Sequence, residues 1–172
     1  MTARALICLG ALAVLGGCSN SPQFAPACPK LALLPDAADM TRFTGAGHDI
    51  TDMVLDARIT AVPAQCRYAD AHTVQATLSV RMEVTRGPAA RADQFTLPYF
   101  VAVMQGDQVL EERDYGMVVH FGSNIDRIPA AGNEVTLNLP ISKQESAASY
   151  RILVGFRLTE SDLMLNRQRG TR

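Results

Sequence analysis

Thr73-Val74-Gln75-Ala76-Thr77-Leu78-Ser79-Val80-Arg81-Met82-Glu83-Val84-Thr85 is the stretch of this chain in which one physical rule holds longest. Val74, Ala76, Leu78, Val80, Met82 and Val84 alternate without a miss with Gln75, Thr77, Ser79, Arg81 and Glu83. Successive side chains of an extended strand point to opposite faces, so this spacing collects the apolar groups on one side and the polar groups on the other. A helix would scatter the same residues around its axis. The stretch therefore predicts a long half-buried strand with one wet face, as antiparallel sheets have. Gly87-Pro88 ends it.

The same period recurs on both sides. Leu55, Ala57, Ile59 and Ala61 are in phase upstream; Tyr115, Met117, Val119 and Phe121, then Val135, Leu137, Leu139 and Ile141, then Tyr150, Ile152, Val154, Phe156 and Leu158 follow downstream. Phe95 to Met104 is apolar on both faces, as a central strand is, and its Pro98 requires a bulge or an edge. Gly106-Asp107 reads as a two-residue turn that pairs this strand with Val109 to Glu112. Lys30 to Pro35 is a brief apolar segment and Asp36 to Asp52 reads as loop. Six or seven short strands with connections too short for crossover helices predict an all-β chain, a single antiparallel β-sandwich (immunoglobulin-like or fibronectin-III-like) over residues 28–172. A short C-terminal helix is expected after Thr159-Glu160-Ser161-Asp162, which has capping-box form, and one further helical turn within Lys143 to Ala148.

The beginning of the chain carries an address. Arg4 precedes an apolar run from Ala5 to Val14, and Leu15-Gly16-Gly17-Cys18 has the form of a lipobox. A run this short does not span a hydrocarbon core, which takes about 20 residues. The expectation is a lipoprotein signal peptide over residues 1–17, lipid on Cys18, and a Ser/Pro-containing tether over residues 18–27. Multiple acyl chains make such an anchor stable, so the membrane is one expected partner. Ser19, where Asp would resemble an inner-membrane retention signal, points to the outer membrane, with the domain facing the periplasm.

Of 16 basic residues Arg4 leaves with the signal, so 15 face 17 acidic ones. That balance excludes the basic stripe of a nucleic-acid binder. No Trp is present to stack against carbohydrate. Cys8 leaves with the signal and Cys18 takes lipid, and in an oxidising compartment the remaining Cys28 and Cys66 are expected to form a disulfide; a metal or redox pair is the rival reading.

Chemistry-bearing groups are sparse. His48, Asp49 and Asp52 superficially resemble a metal cluster, but neighbouring loop positions do not converge on an ion unaided. His72, near Asp70, reads as a turn residue, and His120 as a solvent-facing strand residue. Gly122-Ser123-Asn124 lacks the second glycine of a nucleophile elbow, and Gly45-Ala46-Gly47 lacks the third of a dinucleotide loop, where Ile50 stands. Glu111 and Glu112 are adjacent, hence on opposite faces of a strand. No catalytic residue, metal ligand or cofactor is assigned, and no enzyme is expected. Arg167, Arg169 and Arg172 read as a solvated basic tail.

Gly155-Phe156-Arg157-Leu158-Thr159, Leu163 and Asn166-Arg167 match a GF-x-LT-x3-L-x2-NR signature. With Arg86-Gly87-Pro88-Ala89-Ala90, Pro98 to Val103, Cys28-Pro29 and Cys66, the chain resembles a family of uncharacterised bacterial cell-envelope lipoproteins. The resemblance implies envelope location and one domain, and carries over no catalytic residue. In that signature Phe156 and Leu158 are expected to point into the core, Thr159 to cap the terminal helix, and Asn166 and Arg167 to fasten it. The expected function is a non-catalytic binding or assembly module that holds an envelope protein partner. The alternative is a ligand- or metal-binding protein or enzyme with a site in the loops around His48 and His72.

Overall fold

The structure, a computed structural model, describes residues 25–45 and 47–170. The signal peptide, Cys18, most of the tether, Ala46 and Arg172 lie outside the described residues. The strands are β1 (Lys30–Leu33), β2 (Asp39–Phe43), β3 (Met53–Ala61), β4 (Ala64–Asp70), β5 (Thr73–Leu78), β6 (Arg81–Arg86), β7 (Gln94–Gln105), β8 (Gln108–His120), β9 (Arg127–Ala131), β10 (Val135–Pro140) and β11 (Tyr150–Phe156), followed by helix α1 (Glu160–Arg169). They form sheets ordered β1-β11-β7-β8, β10-β5-β4 and β2-β3-β6-β9. All pairings are antiparallel except that of β1 with β11.

The expected 73–85 strand is present but changes partners halfway. β5 pairs with β4 and β10, and β6 pairs with β3 and β9. Only Val62-Pro63 separates β3 from β4, and only Ser79-Val80 separates β5 from β6. Ser79 N–H donates to the Pro63 carbonyl at 3.1 Å, and Gly132 N–H to the Val80 carbonyl at 2.9 Å. The same three neighbours thus continue across one bend. Proline at position 63 cannot donate to a ladder, which is where the pairing gives way. Alternation survives the bend, and Leu78, Val80 and Met82 are all buried.

Three segments depart from expectation. Asp36 to Asp52 is not simply loop: it holds β2 and two single 3-10 turns, Pro35–Ala37 and Ile50–Asp52. Asp39, Thr41 and Phe43 hid this strand, because its outward residues are polar and its apolar face is Met40 alone. β4 and β9 are likewise short strands that the alternation of single residues did not reveal. Val109 to Glu112 and Tyr115 to Phe121 are one strand, β8, 13 residues long. The Lys143–Ala148 turn is a single 3-10 turn at Ala147–Ser149.

The β7–β8 hairpin forms as expected, with Gln105 opposite Gln108 and Gly106 at φ 58°, where an L side chain would be strained. Pro98 lies inside β7 opposite Gly116, yet its carbonyl accepts from Arg157 N–H at 2.9 Å, one residue past the last β7–β11 pair. A strand residue's N and C=O face the same side, so the missing N–H lies at the finished end of β11.

Inward residues of all three sheets join in one core: Leu97, Tyr99 and Val101 from β7, Ile152, Val154 and Phe156 from β11, Leu55, Ala57 and Ile59 from β3, Val74 and Leu78 from β5, and Leu137 and Leu139 from β10. Cys28 and Cys66 are bonded, with Cα atoms 5.7 Å apart. Cys28 leads into β1 and Cys66 lies in β4, so the bond ties an edge of one sheet to an edge of another. Thr159 caps α1: its Oγ1 accepts from Asp162 N–H at 3.2 Å while Asp162 Oδ2 accepts from Thr159 N–H at 3.1 Å. Among the described residues no helix is long and apolar enough to cross a membrane.

Candidate functional site

Because β2, β3, β6 and β9 turn their apolar residues to the core, their outer side chains are polar, and the sheet order sets these side by side. Two cross-strand rows result. Thr41 lies opposite Asp56, Asp56 opposite Thr85 and Thr85 opposite Arg127; alongside, Asp39 lies opposite Arg58 and Arg58 opposite Glu83. Facing residues in adjacent strands have Cβ atoms about 5 Å apart, within reach of direct bonds. Thr41 Oγ1 donates to Asp56 Oδ2 at 3.3 Å, Arg127 Nε to Thr85 Oγ1 at 3.4 Å, and Arg127 Nη1 pairs with Glu83 Oε1 at 3.5 Å.

Asp39 is 7% exposed, and a buried carboxylate is tolerated when it is paired and hydrogen-bonded. Arg58 Nε donates to its Oδ1 at 2.7 Å. That bond, reinforced by the charges of Asp39, Asp56 and Glu83, raises the Arg58 pKa against a smaller desolvation effect. Arg58 is therefore a fixed cation in the floor.

Two walls rise from this floor. On one side the 44–52 loop is closed by Thr44 N–H donating to the Asp52 carbonyl at 2.8 Å and Asp52 N–H to the Asp49 carbonyl at 3.0 Å. It carries His48 and Ile50. Gly87 lets the loop's far end seat: a Cβ there would land on the Met53 carbonyl oxygen. On the other side is the last turn of α1. Arg169 Nη1 donates to Thr41 Oγ1 at 3.2 Å, and its guanidinium lies 5.4 Å from the centroid of the Phe43 ring. His48 meets the same ring edge-on, with centroids 5.3 Å apart and planes at 62°. Phe43 thus positions both nitrogen-bearing side chains. The enclosed groove has a volume of about 640 Å³ and opens to solvent, with Phe43, Ile50 and Met53 at one end and Arg58, Glu83 and Arg127 along its floor.

His48, expected in a loop, lines this groove. Asp49 and Asp52 serve the loop's own backbone. His72 is elsewhere, at the tip of the β4–β5 hairpin, its N–H donating to Asp70 Oδ1 at 2.7 Å. The structure does not bring His48 and His72 into one site, because β3 and β4 run between them. Among the described residues no three His, Cys, Asp or Glu side chains gather at metal-binding distance. His120 is exposed at the end of β8. Glu111 pairs with Arg113 and Glu112 with Arg157 at 2.6 Å, so the two glutamates serve different partners. Gly122-Ser123-Asn124 is a turn with Asn124 at φ 62°.

The basic tail is corrected. Arg169 lines the groove, and Arg167 Nε donates to Asp36 Oδ2 at 3.0 Å, so neither is a free solvated charge. Capping bonds at Thr159 turn the chain back over β2, where these partners wait. The groove's floor residues went unnoticed in the sequence because Asp56, Arg58, Glu83 and Thr85 are each the wet face of an ordinary strand. Comparison of the chain with models of protein families, with curated proteins and with solved structures finds no match in any of the three.

Proposed function

We propose that this protein is a lipid-anchored periplasmic module of the cell envelope that binds another protein and performs no chemistry on it. The groove carries the reading: it is a preformed, solvent-open concavity whose charged groups are engaged with one another rather than poised as acid, base or nucleophile. Lipid at Cys18, outer-membrane location and the 18–27 tether are part of the proposal and rest on the Leu15-Gly16-Gly17-Cys18 sequence. A tethered domain meets membrane partners at raised effective concentration, so modest affinity suffices.

Crosslinking in intact cells, followed by recovery of the lipidated protein and mass spectrometry, tests it. One envelope protein is expected in reproducible yield, and Cys18→Ala is expected to lose it. Repeated recovery of the protein alone would overturn the reading.

A further inference from the structure

We propose that the groove over β2, β3, β6 and β9 receives an extended acidic peptide segment, with a carboxylate on Arg169 and an adjacent apolar side chain against Ile50 and Met53. This deepens the binding-module reading and depends on it.

Arg169 is the cation of the groove whose two contacts are neutral, the Thr41 hydroxyl and the Phe43 face. Stacking on an aromatic ring holds a guanidinium in one orientation while leaving donors of its fork free, which suits bidentate capture of a carboxylate. His48, against the same ring, places a second possible donor beside it. Arg58 and Arg127, by contrast, already meet Asp39 and Glu83.

Apolar surface lies next to this cation. Ile50 is 74% exposed, unusual for a large aliphatic side chain held in a closed loop, and Met53 lies behind it in the groove lining. The rest of the floor decides between classes of ligand. An acyl chain laid along it would desolvate Asp56, Arg58 and Glu83 without offering them a hydrogen bond. A peptide backbone brings an N–H and a C=O at every residue and can bond to the same groups. The charge pattern thus favours a peptide over a lipid.

Full-length lipidated protein in phosphatidylcholine nanodiscs would be titrated with a fluorescein-labelled peptide carrying Asp-Leu-Asp between Gly-Ser flanks. The Lys-Leu-Lys counterpart and soluble dihexanoyl phosphatidylglycerol serve as alternative ligands. The acidic peptide is expected to bind at least tenfold more tightly than the basic one. Arg169→Gln and Ile50→Ser should each weaken it at least fivefold; Ile50→Ser, at an exposed position, keeps the test valid should Arg169→Gln loosen α1. Equal binding of the two peptides, no effect of either substitution, or displacement of the peptide by the phospholipid would overturn the proposal. Continued recovery of an envelope partner in that event would leave the binding module intact and place its docking surface elsewhere.

Discussion

Asn166 Nδ2 donates to the Asp39 carbonyl at 2.7 Å, joining positions 127 residues apart, and the same nitrogen donates to the Asp36 carbonyl at 2.8 Å. One side-chain amide thereby fastens α1 across the entry to β2, and Arg169, one turn further on, is delivered to the groove. Helix docking and groove geometry are consequently coupled.

Asn166→Ala should leave two partly buried carbonyls without these donors, at a cost of about 2 kcal/mol, or a Tm lower by about 4–8 °C. Arg167→Ala removes an ion pair whose side chains are 62% and 44% exposed, and should cost less than about 1 kcal/mol. Thermal unfolding of the two variants checks this ranking. A larger effect at Arg167 would reassign the fastening.

Reducing the Cys28–Cys66 bond, or replacing both residues with Ala, releases a crosslink spanning 38 positions. Chain-entropy reasoning gives a loss of up to about 4 kcal/mol. The bond lies in the sheet edges at β1 and β4, not in the groove, so groove binding should persist below the lowered Tm. Denaturant titration with and without reductant measures the first effect, peptide titration the second.

Gly87→Ala would push a methyl into the Met53 carbonyl oxygen. The strands must separate there, and an overpacking cost of about 1–3 kcal/mol is expected. Since Val54 and Met53 carbonyls accept from Gly87 and Ala89 N–H groups, the start of β3 should shift as well. Amide hydrogen exchange should rise locally at residues 53–55 and 86–90.

β8 is a long edge strand, and such edges invite pairing with another chain. Glu112 and Asp114 stand at its centre, held by Arg157, while Val109, Leu110 and Val118 are exposed towards its ends. Self-pairing in antiparallel register would set these acids against their own copies. Glu112→Val with Asp114→Val should therefore convert monomer to dimer or aggregate, read by light scattering at micromolar concentration.

Burial raises the pKa of Tyr99, with a smaller contribution from Tyr115, and burial followed by the Glu145 charge raises that of Tyr150. A phenol whose folded pKa exceeds its unfolded value of about 10 favours the native state fully below pH 10. That contribution is lost as pH climbs from there through the folded pKa. Stability should fall above about pH 10, and Tyr99→Phe should flatten the fall. Tyr150→Phe should flatten it too, while lowering neutral-pH stability because Tyr150 Oη donates to the Pro140 carbonyl at 2.9 Å. Denaturant midpoints from pH 8 to 11.5 provide the measurement.

What the sequence alone determined is local. Alternation of Val74 to Val84 specifies which face of a strand is buried whatever its neighbours, Gly106-Asp107 specifies a tight turn, and Thr159 with Asp162 specifies a helix start; each depends on residues a few positions apart. The pairing of Cys28 with Cys66 was legible by elimination, once the other cysteines were assigned. Tertiary structure decided the rest. β2 and β4 carry too few apolar residues to announce themselves and are strands because β3 and β5 offer them ladders. The bend at Pro63, the order β2-β3-β6-β9 and the return of α1 over β2 brought Thr41, Asp56, Arg58, Glu83 and Arg169 together. No pattern along the chain encodes that meeting, because a polar residue on the wet face of a strand looks the same whether it faces solvent alone or stands beside its partner on the next strand.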